Sequence, residues 1–407
     1  MSSTQSKFPS ASREDWHALV SSALRGGNPQ SLDRLDEDGL AIKALHDIAS
    51  YEAASPDACA ITRLPVNPAS YIAHGWDICQ PVMANGSATD INRLILDELQ
   101  DGVGTIWLQG LQNDDLAGHL PAMMQDVVFA AAGIHLDAGN DVMAQIGAFA
   151  GFAKKADTNL AASRFHANID PFAPAADADL LASALAYFMS ADADDLPPDM
   201  FRAQGWKWHN QGMTAVQELA YILASLTEIL RQGMARNIDL AHLAKHMSAS
   251  LALPADVFEG IAKCRALRRG WGGIVSALGL DPDAHRLCIH GAVSIRMFST
   301  VDSEVNMLRT TTALLGGAIG GADQLSAHPH NCLTGDDPMG RRLARMQQHL
   351  LVDESGLSRS LDPAGGAGFI ENRTDQLGLA AWLAFQQIEA DGGALAAHQT
   401  GHFTAMA

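Results

Sequence analysis

The amino-acid sequence predicts an α/β fold built around a parallel β-sheet. The chain has 407 residues, of which 47% are hydrophobic and 18% charged, so it can bury a sizeable core. From about residue 55 onward, short apolar runs alternate with longer runs of helical periodicity. This alternation favours parallel strands joined by helices, arranged either as an open sheet or as a closed barrel.

Capping signals and apolar periodicity locate the individual elements. Ser12, with Asp15 three residues on, forms a capping-box pattern and predicts a helix that Gly26-Gly27 ends. The remaining predictions are helices at 89–100, 214–231 and 301–315, and strands at 102–108, 164–169, 206–209, 287–293 and 322–327. Periodicity leaves 144–152 open as strand or helix, and the Ala/Asp-rich stretch 172–198 is typical of a solvated helix between acidic loops.

The charge and cysteine content exclude several classes of protein. A net charge of −19 provides no basic field for nucleic acid or for an anionic membrane surface, so neither is expected as a partner. The five cysteines are odd in number and lack a CxxC pair, which argues against a disulfide framework or a structural zinc site. The N-terminus has no apolar signal segment, and no apolar run is long enough to span a membrane. We therefore expect a cytoplasmic protein.

The final third of the chain carries an ordered series of motifs. In order they are Gly316-Gly317, Gly320-Gly321, Asp323-Gln324, Asp353-Glu354-Ser355, the glycine-rich loop after Asp362-Pro363, Ala381-Trp382-Leu383-Ala384-Phe385, Ile388-Glu389 and Gly392-Gly393. This series resembles the barrel domain of the methylmalonyl-CoA mutase family. The resemblance implies a (β/α)8 TIM-type barrel, a choice that the strand–helix alternation alone leaves open.

Other stretches extend the resemblance over roughly residues 70–395. Trp76-Asp77-Ile78-Cys79-Gln80 is similar to the family's W-x-I-R-Q motif, and 205–220 and 265–271 match two further motifs. The stretch 97–108 has the form typical of the family's small subunit. Residues 1–50 resemble the family's N-terminal arm, which wraps a partner subunit, and 51–407 would then form the barrel. The alternative for the arm is an amphipathic helix that packs on its own domain.

The positions that carry the family's chemistry are altered in this sequence. The tyrosine that packs between substrate and corrin corresponds to Pro81, and the active-site histidine corresponds to Lys207, preceded by Trp206. The strand Cys288–Val293 has lost the arginine and the hydroxyl groups that line the family's coenzyme A channel. The resemblance therefore implies no catalytic residue at these four degenerate positions, and an apolar, packed barrel interior is expected instead.

A few residues keep the character of ligand-facing positions. Gln80, Lys207, Gln324 and Glu354 are candidates to face substrate or cofactor, because the resemblance places them in the family's conserved motifs. Lys207 can still donate a hydrogen bond to a carbonyl. Glu354 matches a residue that meets the ribose of the adenosyl group, or else it is a surface carboxylate at the end of a helix.

The resemblance implies a subunit rather than a complete enzyme. No Asp-x-His-x-x-Gly motif, which provides the cobalt ligand in the family, appears before Ala407. This chain alone is therefore expected to bind no cofactor, and adenosylcobalamin and acyl-CoA would come through a large catalytic subunit with the B12 domain. The implied function is the small, catalytically degenerate subunit of a heteromeric mutase that interconverts methylmalonyl-CoA and succinyl-CoA.

Two alternatives remain open. The first is a free-standing barrel enzyme in which His290, His328 and His330 bind a metal near the strand C-termini, where barrel active sites lie. The main interpretation expects no metal, since His-x-His occurs often by chance among 16 histidines. The second is a catalytic barrel that borrows a separate B12-binding protein.

Overall fold

Eight parallel strands form a closed barrel in the computed structural model, which describes residues 11–46, 64–111, 115–137, 139, 141–174, 176–335 and 337–407. The strands are β1 (Asp77–Met83), β2 (Thr105–Gln109), β3 (Gly133–Leu136), β4 (Phe165–Ile169), β5 (Asp199–Gln204), β6 (Met247–Leu253), β7 (Cys288–Val293) and β8 (Gln324–Ser326). Helices join them in sequence. The predicted (β/α)8 barrel is confirmed.

The shortest strand closes the barrel. In β8, Leu325 pairs with Ile78 of β1 on one side and with Gly291 of β7 on the other, and both pairings are parallel. Gly291 is needed at this point because a Cβ there would lie 2.8 Å from side-chain atoms of Leu253 and Leu325. Closure leaves no unpaired strand edge and sends alternate residues of each strand to the interior.

Helices precede, connect and follow the strands along the chain. They are α1 (Arg13–Ala23), α2 (Pro68–His74), α3 (Ala88–Gln100), α4 (Leu116–Met123), α5 (Val142–Lys155), α6 (Leu180–Ser190), α7 (Gly205–Gln211), α8 (Ala215–Ala235), α9 (Leu240–Lys245), α10 (Val257–Ala277), α11 (Val305–Ile319), α12 (Pro338–His349), α13 (Gly368–Ala390), α14 (Gly393–Gln399) and α15 (His402–Met406). A capping box between Thr214 and Gln217 begins α8, as its sequence pattern predicts. Among the described residues, none of the helices combines the length and apolarity needed to cross a lipid bilayer.

The strand predicted at 206–209 is wrong. The strand ends at Gln204, and α7 starts at once with Gly205. A Cβ at Gly205 would lie 2.7 Å from Ile222 of α8, so the chain turns here in close contact with that helix. Trp208 then packs on Tyr221, with their ring centroids 5.8 Å apart. Tertiary packing therefore overrides the short aromatic alternation that predicts a strand.

The structure shows which secondary structure two other stretches adopt. The run 144–152, which fits either a strand or a helix, belongs to α5. The Ala/Asp-rich stretch forms α6, and this helix buries Leu181, Leu185 and Phe188 instead of being fully solvated. The acidic residues around it are confined to its flanks, so an apolar face is present where composition alone suggests a polar helix.

The N-terminal arm has one exposed helix and one docked segment. The predicted capping box of Ser12 and Asp15 begins α1, and none of the residues of this helix is buried. The docked segment contains a two-residue antiparallel ladder, Arg34–Leu35 with Ala41–Ile42. In its turn, Asp38 accepts hydrogen bonds from the hydroxyl of Thr214 and, at 3.1 Å, from the backbone N–H of Val216. The segment thus contacts its own barrel, whereas α1 buries none of its residues fully.

A seam of buried ion pairs joins α10 to its neighbours. Lys263 of α10 contacts Glu218 of α8, and both side chains are fully buried. Arg265 pairs with Asp362 and with Glu371, the latter at 2.6 Å. Because these partners come from separate helices and loops, the seam fixes α10 against the rest of the helical layer.

Candidate functional site

The barrel interior is lined by polar side chains. The interior positions are Asp77, Cys79, Thr105, His135, His166, Asp199, Arg202, Ser248, Ser250, Cys288, His290, Gln324 and Ser326, and most of them are buried. The expected apolar interior is therefore wrong. These groups can be buried because they hydrogen-bond to one another across the barrel.

Arg202 is the centre of this network. Its guanidinium donates to the hydroxyl of Ser248 at 2.7 Å, to Nε2 of His135 at 2.7 Å and to Oε1 of Gln324 at 3.1 Å. It also forms an ion pair with Asp199. Burial opposes ionisation of Asp199, but the Arg202 guanidinium and the hydrogen bonds from His166 and Ser248 hold its pKa well below the ordinary value. Arg202 and Asp199 thus form a compensated charge pair inside the barrel.

Imidazole rings fill the middle of the barrel. The ring of His135 lies 4.5 Å from that of His166 and 5.2 Å from that of His290, centroid to centroid. Burial, and then the positive charge of Arg202, lowers the pKa of His135 and of His290 well below the ordinary value. These rings are therefore neutral near pH 7.

The thiol of Cys79 lies beside these imidazole rings in the middle of the barrel. The Sγ atom of Cys79 lies 3.6 Å from Nδ1 of His135. Burial raises the pKa of Cys79 to about 12, so the group is a thiol rather than a thiolate. His290 is held from both sides, because Nδ1 lies 2.9 Å from the hydroxyl of Ser250 and Nε2 lies 2.7 Å from that of Ser326.

Two indole rings and an ion pair cover the C-terminal mouth of the barrel. Trp107 of β2 meets Trp206 edge to face, with centroids 5.1 Å apart, and also contacts His290 at 5.4 Å. Lys207 extends over the ring of Trp206 and pairs with Asp137 at 2.9 Å. Barrel active sites lie at this end of the strands. Here the end is occupied by side chains of the chain itself.

The four positions that the sequence predicts to be degenerate all belong to the barrel or its mouth. Pro81 follows Cys79 by two residues on β1, so it takes the same interior direction. Cys288 begins β7 and also points inward. Trp206 and Lys207 lie at the mouth, on α7 rather than on a strand.

The ligand-facing candidates do not come together. Gln324 lies inside the barrel and accepts from Arg202, and Lys207 lies at the mouth. Gln80 is fully buried but lies on the outward face of β1, because its neighbour Cys79 points inward. Glu354 is exposed and shares a groove with Asp101, which precedes β2, so it lies at the opposite, N-terminal end of the barrel.

The three histidines of the alternative metal site have different surroundings. His290 lies in the interior between two serines. His328 packs against Trp107, with centroids 5.9 Å apart, and the backbone carbonyl of His330 accepts from Asn306. Among the described residues, the three potential ligand atoms that lie within 4.8 Å of one another belong to Cys79, His135 and His290.

Sequence reasoning missed most of the interior network. His135 lies on β3 and Arg202 on β5, and neither strand is predicted from the sequence. Both strands are short and neither has a clean apolar–polar alternation. One signal was available at His166 and Asn168, two polar residues at alternate positions within a predicted strand.

Together, the fold and its interior define a mutase-type (β/α)8 barrel whose lumen is occupied by its own side chains. The family model described as "Methylmalonyl-CoA mutase" matches residues 169–406. The chain belongs to the methylmalonyl-CoA mutase family.

Three similar relatives are named as small subunits of the mutase. The chain is 32% identical over 397 residues to the "Probable methylmalonyl-CoA mutase small subunit" of Mycobacterium tuberculosis, a match that covers 93% of this chain and 63% of the relative. It is 31% identical to the "Methylmalonyl-CoA mutase small subunit" of Streptomyces virginiae, over 98% of this chain and 67% of the relative. The corresponding protein of Propionibacterium freudenreichii is 27% identical, over 98% and 65%. The chain thus spans about two thirds of the length of these relatives.

Proposed function

We propose that this chain is the small, catalytically degenerate subunit of a heteromeric, adenosylcobalamin-dependent acyl-CoA mutase. Its role is to assemble and stabilise the catalytic large subunit, which would interconvert methylmalonyl-CoA and succinyl-CoA in the cytoplasm. The observation that carries this proposal is the occupied barrel interior. Relatives named as small subunits support the same interpretation.

An acyl-CoA chain has no free path among these interior side chains. The rings of His135 and His290, which belong to β3 and β7, approach to 5.2 Å, and Trp107 closes over His290. The polar groups there are paired with one another, and a ligand that displaced them would leave buried donors and acceptors unpaired, at about 1–3 kcal/mol each.

The mouth of the barrel is equally unsuited to the coenzyme and the substrate. Lys207, the residue in place of the family's active-site histidine, is paired with Asp137. Pro81 has no side-chain group that can stack as tyrosine does or donate a hydrogen bond. The site residues therefore do not fit adenosylcobalamin, and no catalytic step is assigned to this chain.

The exposed helix of the arm supports contact with a partner. Helix α1 carries Trp16, Leu19 and Val20 at helical spacing, Leu24 caps its C-terminal end, and Leu19 is 72% exposed. An apolar helical face without buried residues favours burial against another chain. Because Asp38 and the ladder around it are docked on the barrel, α1 is held in a position from which a large subunit can cover it.

Co-expression with the large mutase subunit of the same source tests the proposal. Native mass should show a complex of the two chains, with turnover only in the complex. Leu19→Asp should weaken the complex without unfolding this chain, because the side chain is exposed. Val128→Asp is the matched control, since Val128 is 67% exposed and lies outside the arm.

Lys207→Ala separates a degenerate barrel from a catalytic one. We expect kcat and KM of the complex to stay within about twofold of the unmodified values, because Lys207 is engaged with Asp137 rather than with substrate. A fall of at least about tenfold, or turnover that needs only a separate B12-binding protein, would show that this barrel is catalytic. A stable homo-oligomer that ignores the large subunit would contradict the assembly role.

A further inference from the structure

We propose that Cys79, His135 and His290 form a buried zinc site in the middle of the barrel. Their potential ligand atoms all lie within 4.8 Å of one another, and the three side chains are at most 1% exposed. One sulfur and two imidazole nitrogens form a donor set that zinc binds well. The three residues come from β1, β3 and β7, which are far apart in the sequence and converge only inside the barrel.

The spacing of the ligand atoms is close to what tetrahedral zinc requires. Zn–S and Zn–N bonds of about 2.3 and 2.0–2.1 Å at tetrahedral angles place sulfur and nitrogen about 3.5 Å apart. The Sγ atom of Cys79 already lies 3.6 Å from Nδ1 of His135. Because the ligand atoms lie within 4.8 Å of one another, His290 needs a shift of at most about 1.3 Å to reach the same separation, which is within the range of a small side-chain rotation.

His290 has the surroundings of a metal-binding histidine. Its Nε2 faces Ser326, whose hydroxyl also interacts with the thiol of Cys79, so this nitrogen is on the side of the sulfur. Its Nδ1 faces the hydroxyl of Ser250 at 2.9 Å. Nδ1–H can donate to Ser250 while Nε2 binds zinc, which is how ligating histidines are usually oriented. The hydroxyl of Ser326 lies next to both ligands and supplies an oxygen for the fourth position.

The charge balance also favours the site. Arg202 can only donate, so Nε2 of His135 is the acceptor of that bond and Nδ1 carries the proton, directed at Cys79. Zinc binding would release this proton and the thiol proton of Cys79 to solvent. The guanidinium would then stabilise the imidazolate form of His135. Two protons are exchanged for one divalent cation, so the net charge of the buried interior does not change.

The metal would act on the fold rather than on a substrate. It would tie three strands together in the layer that fills the lumen, and this role is independent of the mutase subunit proposal. The sequence alone predicts no metal and no structural zinc site, because the ligands show no CxxC or His-x-His spacing.

Zinc binding by the full-length chain, alone and in its complex, tests the site. The protein is freed of metal with a chelator and titrated with zinc in competition with a chromophoric chelator, while circular dichroism monitors folding. We expect one equivalent to bind, with two protons released, so that log K rises by about 2 per pH unit near neutrality. Cobalt in place of zinc should give a sulfur-to-metal charge-transfer band.

Matched variants assign the ligands. Cys79→Ser and His290→Gln should each weaken zinc binding at least ~100-fold, since even loss of an outer-sphere partner costs ~10–100-fold, and Cys79→Ser should also abolish the charge-transfer band. Cys288→Ser should change neither, because Cys288 is in the same barrel but outside the cluster. Absence of stoichiometric zinc binding by folded protein would overturn the proposal. Equal loss in Cys288→Ser would also overturn it.

Discussion

The barrel interior and the seam of ion pairs that joins α10 to its neighbours bury polar groups in opposite ways. The seam buries a full ion pair, Glu218 with Lys263, in which neither side chain is exposed. The interior combines the ion pair of Arg202 and Asp199 with imidazoles whose pKa values are lowered, so most of its groups are neutral. The stability of the seam therefore depends on charge compensation, whereas that of the interior depends on histidines that stay unprotonated.

The backbone explains why the seam can hold full charges. The carboxylate of Glu218 accepts from the backbone N–H of Ala252 at 2.6 Å, and the ammonium of Lys263 donates to the carbonyl of the same residue at 2.7 Å. Each charge therefore has a partner charge and a backbone partner. Buried ion pairs of this kind are costly to break by removing one side.

The largest expected effect is in the seam. Lys263→Met should lower the free energy of unfolding by about 3–5 kcal/mol, because it leaves the carboxylate of Glu218 buried without its partner. Urea denaturation followed by circular dichroism measures the change. The double variant Glu218→Leu with Lys263→Met should be less destabilised than the single one. If it is not, charge compensation is not what the seam provides.

The interior should respond to pH instead. Burial lowers the pKa of His135, His166 and His290, so below pH 6.5 the unfolded chain binds protons that the folded chain does not. Stability should therefore fall as pH drops through this range. Between about pH 7 and about pH 5.5, His135 and His290, whose pKa values are lowered furthest, each contribute a loss of about 1 kcal/mol.

One variant isolates this contribution. In the metal-free protein, His290→Gln should reduce the pH-dependent loss, measured as the difference in unfolding free energy at the two pH values, by about 1 kcal/mol. His402→Gln is the control, since His402 is exposed on α15 and should leave the pH dependence unchanged. An unaltered profile in His290→Gln would show that folding does not lower the pKa of this ring.

The smallest expected effect is at a partly exposed ion pair of α10. Arg269 pairs with Asp375, and both side chains keep more than a quarter of their exposure, at 28% and 29%. Arg269→Gln should cost about 0–1 kcal/mol in urea denaturation, because a solvated pair gains little. Arg268→Gln should cost more, since Arg268 is 1% exposed and contacts Asp323 and the carbonyl of Gly321. Equal costs would mean that burial does not control these pairs.

Much of the architecture was predictable because its signals are local. The capping boxes at Ser12 and Thr214 depend on residues three positions apart, and both are present in the structure. The motif order in the final third indicates the family, and the closed barrel confirms the fold that it implies. The strand predicted at 206–209 failed because contact with Ile222 of α8, not the local aromatic pattern, decides that segment.

The candidate site was less predictable because it is non-local. Pro81, Lys207 and Cys288 were singled out from motifs, yet the residues that fill the lumen are His135 and Arg202, which no motif marks. Gln80 lies one position from Cys79 and faces the other way, since strand residues alternate. A motif specifies which residues are neighbours in sequence but not which face of the barrel each one takes.

The sequence alone indicated the family and the barrel, and from the resemblance it predicts the loss of the family's chemical groups at Pro81 and Lys207. Only the tertiary structure decided that the lumen is polar and filled, and that Cys79, His135 and His290 meet there. The physical reason is closure. The register and tilt of the strands in a closed barrel place side chains from strands 50 residues or more apart in the same layer. Register and tilt depend on all eight strands together.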